Sequence, residues 1–510
     1  METLIRLSHI TKKFGPVVAN HDVSLDIREG EILSLLGENG SGKTTLMNML
    51  SGLYYPDSGT IYVKDKPVNI TSPKDAFDLG IGMVHQHFKL VDVFTASENI
   101  ILGLKGSFFL SRKAVDEQVK KILDKYGFHL DLKKKVYEMS VSEKQTVEIL
   151  KLLYRGVNTL ILDEPTAVLT PQETDRLFNV LRAMRKDGKA VIIITHKLNE
   201  VLELSDRVAI LRRGELVKII PTKEANEEIL TDAMVGQHVV LQIRRSEVKD
   251  KKEVLTVSNL SCTAEDGVRC LKNASFSVYG GEILGIAGVS GAGQKVLLEA
   301  ITGLQHCDRG SSIVFTDPST GKKSELVGKN PKTIKKMGIR LAFVPEDRLG
   351  MGLVGDMGMT DNVLLRSYEE GFGGILHTSK PKKTAESIKK SLDVQTPSLD
   401  TPVRKLSGGN VQKVLVGREI ASSPKLLLTA YATRGLDINT SYAIYNILTE
   451  QKEKGVAVVY VGEDLDVLLA LTDRILVLCD GEITGILDSR TADKRDIGRR
   501  MSSKGGKNRD

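Results

Sequence analysis

The chain of 510 residues contains one architecture twice. GEIL begins at Gly30 and again at Gly281, 251 residues later, and each time it leads through an apolar run into a glycine-rich loop. Further on, SDR at 205–207 matches TDR at 472–474 at an offset of 267, so the second copy carries 16 additional residues. Part of that excess lies in the polar stretch DPSTGKKSELVGKNPK (317–332), which predicts a surface insertion. A period this long is a duplication of domains rather than a stack of short repeats. It suits a length too great for one core. The charged stretch RRSEVKDKKE (244–253) separates the two apolar patterns. The expected boundaries are 1–240 for the first domain, 241–252 for a linker and 253–498 for the second, with a flexible basic tail over 499–510.

Each copy starts with alternating, strand-like segments, LIRLSHI and VSLDIREGEILSLLG in the first, VLTVSNL and ASFSVYGGEILGIAG in the second. A helix is predicted directly after each glycine loop, over KTTLMNMLSGL and QKVLLEAITGL. Later apolar runs, TLILD and AVIIIT in copy one, KLLLTA and VAVVYV in copy two, read as buried parallel strands, which gives an α/β fold. The charged, helix-like regions 97–155 and 360–424 predict a smaller helical lobe beside each sheet.

The chemistry does not repeat. Segment 37–45, GENGSGKTT, fits the phosphate-loop pattern G-x-x-x-x-G-K-[ST] in full. Its candidate nucleotide-binding residues are Gly37, Asn39, Gly40, Ser41, Gly42, Lys43, Thr44 and Thr45. The glycines let backbone N–H groups turn toward phosphates, and the helix start adds favourable potential. Lys43 is placed to reach β and γ oxygens, and Thr44 to offer a hydroxyl to Mg²⁺. Asp163 ends the apolar strand of LILDEPT (160–166) and is a second candidate Mg²⁺ ligand. Glu164, next to it, is placed to polarise an attacking water. His196 follows another buried strand and can hold that water in line. Gln86, in GMVHQHF (82–88), can coordinate Mg²⁺ or water and report the γ-phosphate to a mobile lobe. His85 and His87 flank it without a third ligand spaced for a metal. Phe14 is either a base-stacking ring or a core aromatic. In the second copy Gln294 stands at the lysine position of GVSGAGQKV. Ala430 and Tyr431 replace Asp163 and Glu164, and Glu463 replaces His196.

These residues, in this order, resemble the ATP-binding-cassette ATPases, over nearly the whole chain and twice. The resemblance implies two P-loop NTPase domains in tandem, each with a RecA-like α/β core, an antiparallel β subdomain and a helical subdomain, with ATP and Mg²⁺ as cofactors. It implies head-to-tail pairing of the two domains within the chain, each site joining the phosphate loop of one domain to the signature of the other. LSGGN (406–410) supplies a serviceable signature, Ser407, Gly408, Gly409 and Asn410, whereas copy one has MSVSE (139–143), with both glycines lost. One composite site is then complete and the other degenerate. Glu346 would take the place of Gln86 there, and Lys295, one position late, would replace Gln294 only by leaving the loop differently. Asp437 is expected to bridge the two sites.

The V-P-E-D-R (344–348) and A-T-R-G-L-D (432–437) segments are similar to those of ribose, galactose and xylose importer ATPases. The stretches 80–100, LLYRG (152–156) and ILDEPTAVLTPQE (161–173) lean toward the nucleoside-import branch. Ser142, Tyr431 and Ala432 depart from that branch, all in elements of the degenerate site. The resemblance implies two separate transmembrane permease subunits, an extracellular substrate-binding lipoprotein acting through them, and peripheral attachment to the cytoplasmic face of the membrane.

Composition sets the outer bounds. A formal charge of +7 is modest at this length and does not argue for nucleic acid. The 4 cysteines lack metal-type spacing and suit a reduced compartment. METLIRLSHI lacks the apolar core of a signal peptide, and no run approaches a membrane helix. A tandem-cassette translation factor is disfavoured by the short linker and the degenerate second site; an exporter ATPase and a non-enzymatic scaffold are the other rivals.

Overall fold

The computed structural model describes residues 2–502 except 16, 86–87, 104–111, 168, 237–242, 247–251, 265–266, 290, 344–351, 369–375, 435 and 437. The chain divides into two compact units, Met1–Val240 and Leu241–Asp510.

The first unit opens with β1 (Thr3–Phe14), β2 (Val17–Arg28), β3 (Ile32–Leu36), α1 (Lys43–Leu50), β4 (Ser58–Val63), β5 (Lys66–Val68), α2 (Pro73–Asp78) and β6 (Ile81–Val84). Three helices follow, α3 (Ala96–Ile101), α4 (Arg112–Tyr126) and α5 (Val141–Tyr154). The unit closes with β7 (Thr159–Asp163), α6 (Pro171–Lys186), β8 (Ala190–Thr195), α7 (Leu198–Leu204), β9 (Arg207–Arg212), β10 (Glu215–Pro221) and α8 (Glu227–Val235). A four-stranded antiparallel sheet runs β2-β1-β4-β5, and a six-stranded sheet runs β10-β9-β3-β8-β7-β6. The latter is parallel from β9 to β6, with β10 antiparallel at one edge.

The near-continuous apolar strings of the central strands reflect burial on both faces. Along β8, Ile192 and Ile194 join the core shared with α1 and the antiparallel sheet, whereas Val191 and Ile193 join the core under α5 and α6. The expected helical lobe is α3, α4 and α5 around Ala96, Ile100, Val119 and Val147. Buried Asn99 pins this lobe, its amide oxygen accepting from Val91 N at 2.8 Å and its nitrogen donating to Val91 O at 3.0 Å.

The second unit repeats the order as β11 (Glu253–Thr263), β12 (Arg269–Tyr279), β13 (Ile283–Gly288), α9 (Gln294–Ile301), β14 (Ser312–Thr316), β15 (Lys323–Glu325), α10 (Pro331–Lys336) and β16 (Ile339–Phe343). Then come α11 (Met359–Ser367), α12 (Ser379–Ser391), α13 (Gly408–Ile420), β17 (Leu426–Ala430), α14 (Ile438–Glu453), β18 (Ala457–Val461), α15 (Leu465–Leu471), β19 (Arg474–Cys479), β20 (Glu482–Asp488) and α16 (Lys494–Ser502). Its sheets run β12-β11-β14-β15 and β16-β17-β18-β13-β19-β20. Asn362 repeats the Asn99 pin on Val354.

Three details differ from the sequence reading. The extra polar stretch is not all loop. In unit one β4 and β5 are joined through Lys64 and Asp65, both with positive φ, the conformation of a two-residue hairpin turn. In unit two the turn between β14 and β15 is longer, and residues 323–325 and 331–332 lie in β15 and α10. Within the expected linker, 243–246 belong with unit two: Ile243 packs on its core, Arg244 O accepts from Thr449 Oγ1 at 3.2 Å, and Arg245 donates to Thr472 O at 2.5 Å. The tail expected from Arg499 starts later, because α16 carries through to Ser502 with Met501 buried.

One ion pair shows how differently the copies bury the same position. Asp206 accepts from Ile32 N and pairs with Arg185 at 2.7 Å, with side chains about a third exposed (35% and 30%). Its counterpart Asp473 accepts from Ile283 N and pairs with Lys452 at 2.8 Å, with side chains only 1% and 7% exposed.

Candidate functional site

In unit one the chemistry-bearing segments leave the carboxyl ends of three adjacent parallel strands, β3, β8 and β7, the usual place for a ligand crevice in such a sheet. The loop after β3 wraps tightly at both ends. A Cβ on Gly37 would lie 2.3 Å from Leu211 O, and one on Gly42, at φ 98°, 2.3 Å from Ala19 O. Only glycine closes this cradle. Lys43 is 6% exposed and donates from Nζ to the carbonyls of Gly37 (2.7 Å) and Glu38 (2.9 Å). Burial pushes its ammonium below the usual lysine range, against the upward pull of Glu164, Asp163 and Glu38. Asn39 and Gly40 are exposed on the loop, Ser41 is buried with its Oγ lacking a partner among the described residues, and Thr45 is half-buried behind Thr44.

Thr44 Oγ1 donates to Asp163 Oδ2 at 3.2 Å. Burial lifts the Asp163 carboxyl, with Glu164 adding to the rise and the Thr44 hydrogen bond and Lys43 opposing it; the carboxyl is pushed up to about 6. The hydroxyl and carboxylate form a hard-oxygen pair, the donor type that suits Mg²⁺, and a bound cation would return Asp163 to its ionised form. The tight glycine cradle, the orphaned Ser41 hydroxyl and this oxygen pair fit a magnesium-bound nucleotide.

Glu164 adopts φ 47°, a left-handed conformation that costs a non-glycine residue about 1–3 kcal/mol and gathers at functional sites. Its N–H donates to Ile194 O at 2.9 Å, and Oε1 lies 2.9 Å from His196 Nδ1. Burial raises the carboxyl, but the His196 hydrogen bond and the charges of His196, Lys43 and Lys197 outweigh it and leave Glu164 below the usual range. The structure therefore brings together Lys43, Thr44, Asp163, Glu164 and His196. Gln86 and His87 lie outside the described residues, as do Glu346 and Asp437. Phe14 is 43% exposed and edge-on to Tyr54 at 5.2 Å, which removes the core-aromatic reading.

The equivalent positions of unit two keep the backbone and lose the chemistry. Gln294 is buried and donates from Nε2 to Val289 O at 3.0 Å, matching the Lys43–Glu38 contact without the charge. Lys295 points along its helix to Glu299 at 3.6 Å, which gives no support to a rescue from that position. Ala430 ends β17 fully buried. Tyr431 keeps the left-handed turn, at φ 56°, and the same backbone bond, to Val461 O at 3.0 Å. Glu463 pairs with Arg434 at 3.5 Å, and that guanidinium lies over the Tyr431 ring.

The two signature segments also differ. Ser407 caps α13, accepting from Asn410 Nδ2 at 2.9 Å, with Gly408 and Gly409 opening the helix. In unit one Ser140 and Glu143 form a reciprocal capping box at the start of α5, and Glu143 also takes Lys134 Nζ at 2.8 Å. That helix start is thus already occupied by an internal carboxylate.

Sequence reasoning missed the layer behind Glu164 and His196. Thr166 Oγ1 donates to Glu200 Oε2 at 2.6 Å, and Lys197 Nζ reaches Glu200 Oε1 (3.0 Å), Thr166 O (3.2 Å) and Thr166 Oγ1 (3.3 Å). The one local signal was the Lys197–Glu200 spacing of three on a helix, too common to stand alone.

A parallel sheet with a glycine loop opening a helix, and acid and histidine on the neighbouring strand ends, defines a P-loop nucleotide hydrolase, here built twice with one full set of side chains. The ABC transporter model matches residues 20–167 and 271–431, and the chain belongs to that family of ATPases. It is 41% identical over 507 residues to the guanosine import ATP-binding protein NupO of Bacillus subtilis, covering 98% of each chain. It is 39% identical to the nucleoside import ATP-binding protein NupA of Lactococcus lactis, covering 98% of this chain and 97% of that one. It is also 39% identical to the glucose import ATP-binding protein TsgD13 of Haloferax volcanii, covering 99% and 96%. No helix among the described residues is long and apolar enough to cross a membrane.

Proposed function

We propose that this ATPase energises the uptake of nucleosides through separate permease subunits, using one working composite site and one degenerate one. The observation that carries the cargo is the full-length similarity to the guanosine and nucleoside import proteins. The similar identity to a glucose import protein keeps sugar uptake as the second reading. The domains are 1–240 and 253–498, the second extended back to Ile243 by its contacts on the core and forward through Ser502 by α16. They pair head to tail, so the Lys43 loop works with Ser407, Gly408, Gly409 and Asn410, and the Gln294 loop faces 139–143. The internal cap of Glu143 and the loss of charge at Gln294 support placing the degeneracy in one site.

Lys43 exchanges its loop carbonyls for the β- and γ-phosphates and offsets charge as it builds on the leaving group. Thr44 and Asp163, with Gln86, would hold Mg²⁺, which would supply charge neutralisation for the transferring phosphoryl group. Glu164 takes a proton from the attacking water, and His196, bonded to it through Nδ1, holds water and carboxylate in line. Phe14 stacks on the base. Nucleotide-driven closure and reopening of the domains is passed to two permeases docked beside Gln86 and Glu346. The chain works as a peripheral subunit at the cytoplasmic face, and an extracellular lipoprotein delivers cargo to the permeases.

Uptake of labelled guanosine and labelled ribose by cells lacking this chain separates the cargo readings: loss of ribose uptake alone overturns the nucleoside assignment. Gly408→Asp tests the pairing. It places a carboxylate at the start of α13, in the domain that lacks Lys43, and hydrolysis should collapse; an unchanged rate refutes the composite site.

A further inference from the structure

The two units hold the turn after the Walker-type acid in two different ways, and the difference singles out residues beyond the hydrolytic pair. One support is common to both. Gln145 on α5 donates to Pro165 O at 2.9 Å, and Gln412 on α13 donates to Ala432 O. That pin follows the fold and is indifferent to chemistry.

The second support is present only where Glu164 and His196 are present. Buried Thr166 ties to Glu200, and Lys197 bridges Glu200 and Thr166, so the segment carrying the carboxylate is fastened to the segment carrying the histidine. In unit two Thr433 keeps the place of Thr166, but Asp464 stands for Lys197 and Val467 for Glu200. Thr433 turns instead to two buried tyrosines, accepting from Tyr445 Oη at 3.2 Å with Tyr460 Oη 3.4 Å away. The threonine there is anchored to the core, and the turn meets the segment after β18 through the exposed Arg434–Glu463 pair at 3.5 Å rather than through a buried network.

Helix stability does not explain Lys197. It occupies the N-cap of α7, where lysine makes no side-chain cap bond, whereas Asp464 at the same position of α15 accepts from Asp466 N at 2.8 Å. Short oxygen-bearing side chains are preferred at N-caps, by roughly 1 kcal/mol over residues that cannot cap. Unit one therefore forgoes a cap that unit two makes, and places an ammonium where it reaches the turn.

We propose that Lys197 and Glu200 are positioning residues that lock the Glu164 turn to the His196 segment, so that the left-handed carboxylate and the imidazole keep one relative geometry through closure and hydrolysis. This rests on Glu164 and His196 being the hydrolytic pair. The contacts of Lys197 run to Thr166 and Glu200, and its charge also helps to hold the Glu164 carboxyl low. Because an error of about 1 Å in such a geometry lowers rates by up to about a hundredfold, the network acts on turnover rather than on nucleotide affinity.

The test uses the full chain and compares kcat and KM for ATP in Lys197→Met, Lys197→Arg and Glu200→Gln. Lys197→Met should lower kcat by about tenfold to a hundredfold with KM and thermal midpoint little changed. Lys197→Arg should recover much of the loss, and Glu200→Gln combined with Lys197→Met should cost little more than either alone, as expected for one network. Unchanged kcat in Lys197→Met overturns the proposal. So does a loss shared between kcat and thermal stability that arginine does not repair, the mark of a merely structural lysine. Glu164→Gln run beside them separates the premises: full turnover in that variant removes the hydrolytic pair itself, whereas its loss with an unaffected Lys197→Met removes only the positioning role.

Discussion

Glu164→Gln should uncouple binding from hydrolysis, and the structure sets how cleanly. Glutamine keeps the volume of the side chain, and the left-handed turn at φ 47° is held by the backbone bond to Ile194 O, which involves no side-chain atom. An amide can also still bond to His196 Nδ1, now 2.9 Å from the carboxylate. The fold should therefore be unchanged. What disappears is the proton acceptor, and the loss of a general base lowers rates by about 10²–10⁴-fold. At about 1.36 kcal/mol per tenfold, that is roughly 3–5 kcal/mol of transition-state stabilisation. Binding should survive, since Asp163 loses the neighbouring charge that raises its carboxyl and becomes easier to ionise for a cation. There is one cost, at high pH. Burial already lowers the Lys43 ammonium, and Glu164 is the foremost of the groups opposing that shift. Without it Lys43 gives up its proton at lower pH, so the alkaline loss of nucleotide affinity should begin earlier than in the wild type. Single-turnover hydrolysis and equilibrium nucleotide binding across pH measure both effects. Full residual turnover would refute the assignment, and an alkaline limb moving upward would refute the electrostatic argument.

Two further contrasts use the repeat as its own control. Gly42→Ala puts a Cβ 2.3 Å from Ala19 O at φ 98°, and should abolish nucleotide binding and hydrolysis. Gly293→Ala, at φ 110° with its Cβ 2.9 Å from Cys270 O, should lower stability by about 1–3 kcal/mol while ATP hydrolysis persists. Equal loss of hydrolysis in both would defeat the single-site reading. Lys452→Met removes the buried ammonium that pairs with Asp473 at 2.8 Å and should cost about 3–5 kcal/mol in urea unfolding. Arg185→Met, at the counterpart whose side chains are about a third exposed, should cost about 1 kcal/mol or less; similar losses would show that burial does not set the difference.

What could be read from the sequence was what is written locally. The glycine loop at 37–45 declares a strand end and a helix start within nine residues, and the uninterrupted apolar run AVIIIT declares a strand covered on both faces. The site residues on those strand ends follow from the same patterns. Three kinds of information were not local. The Thr166–Lys197–Glu200 network joins segments 31 and 34 residues apart, and nothing in either segment names the other. The left-handed backbone of Glu164 has no compositional mark, because glutamate is not a residue chosen for positive φ. The docking of Ile243 to Arg245 on unit two was hidden inside a charged stretch whose composition resembles any exposed linker. Segment 139–143 was legible only as a loss of glycines, although Ser140 and Glu143 also spell a capping box, so the positive role of the acid emerged only from its bonds to the helix start and to Lys134.

The degenerate unit shows what the fold needs from its catalytic loops once catalysis is gone. Tyr431 retains a left-handed turn that a tyrosine adopts at a cost, with the same bond to the neighbouring strand that Glu164 makes. Gln294 retains a bond to the loop carbonyl that Lys43 also reaches, and Gln412 retains the pin supplied by Gln145. Ala430, Tyr431, Glu463 and Asp464 have together replaced every charged group that Asp163, Glu164, His196 and Lys197 present. A chain under no constraint at this position would shed the strained turn first, because relaxing it gains stability and costs nothing. That the strain persists while all four side chains have changed, with carboxylates at Glu463 and Asp464 where the histidine and lysine stood, points to a requirement for the turn itself. Both turns close in the same way, with Arg434 N bonded back to Tyr431 O just as Ala167 N is to Glu164 O. The second unit has therefore kept the backbone of these loops and exchanged the side chains, which is what the proposed head-to-tail pairing asks of a module that lends its signature helix to the other domain's site.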